Sequence, residues 1–90
     1  MNKLKIKLKT AEDTATFIRI CNKYISDINV YSGSIKIDAK SIVGMYSMTD
    51  GKEIFVEIIS PDENEVNKFK QEVNMFMNRE EFKNNYEKWN

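Results

Sequence analysis

Few side chains in this sequence could do covalent chemistry, and their neighbours restrict what that chemistry could be. The chain contains no histidine, which removes imidazole acid–base catalysis, His–Cys zinc sites and phosphohistidine together. Its one cysteine, Cys21, falls within an apolar helical stripe, the place of a core residue rather than a nucleophile. One cysteine leaves no internal disulfide, in keeping with a reducing cytoplasm. Two hydroxyls remain. Thr10 stands before Ala11-Glu12-Asp13 and Ser41 follows Lys40, each at the expected start of a helix, where a phosphate could be held or accepted. For both, the plainer reading is an N-cap. At Thr10 the carboxylates of Glu12 and Asp13 strengthen that reading, because they would repel a bound phosphate. The three glycines lie too far apart to cradle a phosphate. The sequence predicts no metal, no cofactor and no catalytic residue.

These hydroxyls must be placed by the surrounding elements. Leu4, Ile6 and Leu8 alternate with Lys3, Lys5, Lys7 and Lys9, the period of a strand with one wet face. The period then changes: Ala11, Ala15, Ile18, Cys21 and Ile25 recur at steps of four and three, widened by Phe17, Ile20 and Tyr24, so residues 11–24 read as an amphipathic helix. Ile28 and Val30, then Ile35 and Ile37, alternate on either side of Ser32-Gly33 as a hairpin. Residues 42–48 are compatible with two helical turns, although Gly44 weakens them. Ile54, Val56 and Ile58 alternate as a fourth strand. Ser60-Pro61-Asp62-Glu63 predicts a helix start with Ser60 as cap, and Val66, Phe69, Val73 and Phe76 continue the stripe into the late seventies. A second start at residues 78–81 introduces Phe82, Tyr86 and Trp89 at steps of four and three, a short C-terminal helix. The order β-α-β-β-α-β-α, with that extra helix, predicts an α+β two-layer domain with helices on one face of a four-stranded antiparallel sheet. The side chains expected to face the helices are Leu4, Ile6, Leu8, Ile28, Val30, Ile35, Ile37, Ile54, Val56 and Ile58.

Ninety residues, 41% hydrophobic and 31% charged, make one globular domain with no room for a second core. Fourteen basic side chains balance fourteen acidic ones, which argues against a partner held by overall charge, whether nucleic acid or an anionic membrane. The stripe of Lys3, Lys5, Lys7 and Lys9 looks like a nucleic-acid footprint. Glu53 and Glu57 fall on the matching face of the last strand, however, and a solvated, partly neutralised sheet face is the better account. No apolar run approaches the roughly 18 residues of a bilayer span, and a soluble, cytoplasmic chain is expected. Two apolar groups exceed what a small core can bury. One is Ile42, Val43, Tyr46 and Met48; the other is Phe82, Tyr86 and Trp89. Either could mark a docking patch.

The run Asp38-Ala39-Lys40-Ser41-Ile42-Val43-Gly44-Met45-Tyr46-Ser47-Met48 resembles the Lys-Ser-Ile-Met-Gly segment of HPr, the phosphocarrier of the bacterial sugar phosphotransferase system. The stretch from Ala15 to Val30 is similar to that family's first helix and second strand, and the likeness runs from about Leu4 to Met77. The resemblance implies an open-faced sandwich over residues 1–78, with residues 79–90 as a helical extension beyond the family's usual end. It places Thr10 where the family carries its phosphate-accepting His, and Glu12 where the family carries Arg. Ser41 matches the serine that a dedicated kinase phosphorylates in Gram-positive members. Ile42, Val43 and Tyr46 match the apolar patch that docks partner proteins. The resemblance and the lost His together imply a non-enzymatic regulatory or adaptor module of this family, whose partners are proteins such as phosphotransferase-system components or a serine kinase. The alternatives are a relay through Thr10 or Ser41, and a nucleic-acid-binding module built on the lysine stripe.

Overall fold

The computed structural model describes residues 3–77. Its elements in chain order are β1 (Leu4–Ile6), α1 (Ala11–Cys21), β2 (Asp27–Ser32), β3 (Ile35–Asp38), α2 (Ile42–Tyr46), β4 (Ile54–Ile59) and α3 (Glu63–Glu72), closed by a 3-10 turn at Asn74–Phe76. The strands form one antiparallel sheet in the order β1-β4-β2-β3. Alternation decides the faces. Val56 pairs with Leu4 on one side and Val30 on the other, and Val30 pairs with Ile37, so the apolar rows lie on the side covered by the helices. Ile6, Ile28, Val30, Ile54, Val56 and Ile58 are buried there. The core is completed by Phe17, Ile18, Ile20 and Cys21 from α1 and by Phe69, Val73 and Phe76 from the C-terminal side. The hairpin turns at Gly33, whose φ of 60° is disfavoured for a side chain with Cβ.

Several expected boundaries move, each for a local reason. The first strand ends at Ile6 rather than running through Leu8. The Lys7 N–H instead donates to the Phe76 carbonyl at 2.9 Å, and Leu8 is buried without being in the ladder. The first helix stops at Cys21, short of Tyr24, where the Asn22 side-chain amide and backbone N–H both donate to the Ile18 carbonyl. Beyond that turn Tyr24 is still buried, but Ile25 is 98% exposed and does not belong to the stripe. Ala11 is exposed as well, and the buried residue of the first turns is Thr14. Ile35 lies on the helix side of β3 by register but is exposed. The third helix begins after Asp62 rather than Ser60, with the Asp62 carboxylate accepting from the Asn64 N–H at 2.9 Å. It yields to the 3-10 turn before Val73 and Phe76, which are buried all the same. The extension expected over residues 79–90, with Phe82, Tyr86 and Trp89, lies outside the described residues.

Candidate functional site

Thr10 closes the N-terminus of α1. Its backbone is extended (φ −134°, ψ 161°), and its hydroxyl oxygen accepts from the Asp13 N–H at 3.0 Å. Asp13 answers by accepting from the Lys9 N–H at 2.9 Å, one residue before the cap, a reciprocal tie that works as a capping box does. The helix end is thereby satisfied by its own residues, with Glu12 exposed beside it. Activating a hydroxyl as a nucleophile takes an adjacent base. The Asp13 carboxylate is occupied by the Lys9 N–H.

Behind Thr10, the start of α1 and the segment before it are tied to the loop after α2. The hydroxyls of Thr14 and Thr49 share a hydrogen bond, and the Gly51 N–H donates to the Leu8 carbonyl at 3.1 Å. Thr14 is the one buried polar side chain among the described residues, and sequence reasoning missed it. Its spacing from Phe17, Ile18 and Cys21 is that of the stripe, which was the available signal.

Ser41 caps α2 in the expected way. Its oxygen accepts from the Gly44 N–H at 3.4 Å, and its side chain is exposed. The preceding Lys40 does not turn toward it. The Lys40 ammonium donates to the backbone carbonyls of Tyr24 at 2.6 Å and Ser26 at 3.2 Å, so this cation pins the α1–β2 loop. A phosphate on Ser41 would rely on the N–H groups of a five-residue helix rather than on its lysine neighbour.

Ile42, Val43 and Tyr46 stand on the outside of α2 at 62%, 86% and 41% exposure, while Met45 points inward and is buried. Met48, grouped with them in the sequence, is buried too. The helix lies against β3 at Gly44, where a Cβ would come within 2.8 Å of Ile37 Cγ2. Cys21 is buried, and loss of hydration pushes its thiol up to about 12, against a smaller opposing pull from Lys40. It stays protonated and inert at neutral pH.

The lysine stripe does not form one basic surface. Lys5 pairs with Glu53 at 3.3 Å, the Lys3 ammonium lies 4.2 Å from the centre of the Tyr31 ring, and the Tyr31 hydroxyl donates to Glu57 at 3.1 Å. Glu53, Glu57 and Asp38 alternate with Lys5, Phe55, Tyr31 and Lys36 across the open face of the sheet. Among the described residues no group of acidic or sulfur ligands could hold a metal, and no helix is long and apolar enough to cross a membrane.

An antiparallel sheet in the order β1-β4-β2-β3, with helices on one face and two capped helix starts, defines an open-faced sandwich of the phosphocarrier type. No family model and no curated protein matches the chain, but solved structures do. HPr-C-His from Thermoanaerobacter tengcongensis is 26% identical with a TM-score of 0.62, over 82% of this chain and 97% of that one. The Bacillus subtilis catabolite repression protein Crh is 27% identical with a TM-score of 0.59, over 80% of this chain and 86% of that one. The histidine-containing phosphocarrier protein of Mycoplasma superposes with a TM-score of 0.65 at 17% identity, over 82% and 89%. The chain thus has the HPr fold and is similar to HPr-like proteins over about four fifths of its length.

Proposed function

We propose that this chain is a non-enzymatic HPr-like module that docks protein partners and does not relay phosphate. The observation that carries the reading is the exposed apolar trio Ile42, Val43 and Tyr46 on α2, three large side chains left in water on an element whose inward residue is already buried. Against a relay stands the chemistry of Thr10. The chain has no imidazole, and the hydroxyl at the expected acceptor position is held in a reciprocal cap beside two carboxylates. The Bacillus subtilis relative, described by catabolite repression, supports a regulatory role. The partners that fit are phosphotransferase-system proteins or a serine kinase acting on Ser41.

Two measurements test this. Incubation with the general phosphotransferase enzyme and phosphoenolpyruvate should leave the chain unphosphorylated by intact mass, and stoichiometric phosphate on Thr10 would restore the relay. Tyr46→Ala and Ser41→Asp should each change the capture of partners from native lysate with little change in melting temperature. Ser41→Asp adds a negative charge beside the patch while keeping an N-cap residue. Undiminished capture by both variants would place docking elsewhere.

A further inference from the structure

On α1, Thr16, Arg19, Ile20 and Lys23 fall at steps of three, one and three, which a helix brings onto one face. That face borders a groove of about 450 Å³ between α1 and α3, within the roughly 300–1,000 Å³ of small-molecule sites. Gln71 and Glu72 line it from α3, and Met75 stands beyond them, 57% exposed. Ile20 is itself buried and forms the floor.

The charges along this groove do not cancel. The Glu72 carboxylate is engaged on both oxygens, one by the Lys23 ammonium and the other by the Tyr24 hydroxyl. Arg19, by contrast, has no ion pair or side-chain hydrogen bond among the described residues. Two cations therefore face one anion that is already compensated, and a single positive charge is left over. A guanidinium holds a carboxylate through two parallel N–H···O bonds, and the Lys23 ammonium keeps further N–H groups beyond the one given to Glu72. Much of the remaining wall is carbon: the thioether of Met75 and the methylene stems of Arg19, Lys23 and Gln71. One uncompensated cation beside such a wall complements an anion of single charge that carries an apolar tail.

We propose that the α1–α3 groove binds a small aliphatic monocarboxylate, its head on the Arg19 guanidinium with Lys23 beside it and its chain along Met75 above Ile20. The groove shares no residue with the patch on α2, so this site stands apart from the docking of a protein partner on Ile42, Val43 and Tyr46.

Octanoate is the probe, titrated below its micelle concentration into the isotope-labelled full chain, with octanol and acetate as partial ligands. Octanoate should shift the backbone amide resonances of Thr16, Arg19, Lys23, Gln71 and Met75 saturably. Octanol, which lacks the charged head, and acetate, which lacks the chain, should shift them much less. Arg19→Gln should weaken octanoate binding roughly fivefold, the scale of an exposed charge pair, and Met75→Glu should weaken it by setting a carboxylate against the chain. Both side chains are exposed, so the melting temperature of the unliganded protein should hardly move. Shifts centred on Ile42, Val43 and Tyr46 would overturn the proposal, because the patch on α2 would then be taking up the chain. So would octanol binding as well as octanoate, or octanoate binding undiminished in Arg19→Gln, since either would mean that no charge is read. No saturable shift at the groove would overturn it outright.

Discussion

Gly44 sits where α2 lies closest to β3, and the space there decides its identity. A methyl at this position would meet Ile37 Cγ2 at 2.8 Å, on a β-branched side chain with little rotamer freedom. In an open helix, Gly→Ala stabilises by about 1 kcal/mol. Here overpacking of roughly 1–3 kcal/mol opposes that gain. Gly44→Ala is expected to be net destabilising by about 1 kcal/mol in urea unfolding, and the double variant with Ile37→Val, in which Val keeps a methyl at Cγ2, should not recover it. A stabilised Gly44→Ala would mean that α2 lifts off the strand without cost. The same scale explains why Thr10 and Ser41 are legible as caps. An N-cap bond spans three residues and is written in local sequence. The engagement of Lys40 by the carbonyls of Tyr24 and Ser26 spans 14 to 16 positions and has no such signature.

Among the elements, the most informative departure is the early end of α1. Stopping at Cys21 turns Lys23 and Tyr24 toward α3, where both donate to the Glu72 carboxylate, and the Tyr24 ring meets Phe69 edge to face at 5.4 Å. These bonds, first that from Lys23 and then that from Tyr24, hold the Glu72 carboxyl below its ordinary range. A lowered carboxyl favours the folded state above the ordinary glutamate range, about pH 4.3. That contribution is lost as pH falls through the folded value, because the unfolded chain binds protons first. Glu72→Gln should therefore give a shallower acid limb in melting temperature against pH, with the neutral-pH plateau lowered. Some slope should remain, since Ser60 and Ser26 hold Glu65 low in the same direction. An unchanged acid limb would show that the Lys23–Tyr24–Glu72 tie contributes nothing to stability.

At the scale of the whole molecule, β4 and β2 are the inner strands of the sheet, and Val56 and Ile6 sit on opposite sides of the β1–β4 pairing under the helices. Val56→Ala or Ile6→Ala should cost roughly 1–4 kcal/mol in urea unfolding through the cavity left behind. A loss within error of zero at both sites would mean that the layer can collapse around them.

The arrangement of this layer was largely open to reading in the sequence. Alternation with period two and stripes with period 3.6 are imposed by burial on each element separately, so β2, β3, β4 and the inward faces follow from single positions such as Ile28, Val30 and Val56. The absence of histidine also belongs wholly to the sequence, and it removes the phosphohistidine chemistry of the family whatever the fold. Tertiary structure alone decided where helices stop and which polar groups meet. Thr14 finds Thr49 across 35 positions and Tyr24 finds Glu72 across 48. Such pairs form only after the chain has closed long loops, and no local propensity encodes their energy. Exposure was decided the same way: Ile25 and Val43 stand in water and Met48 does not, because burial depends on what the rest of the chain places over a side chain.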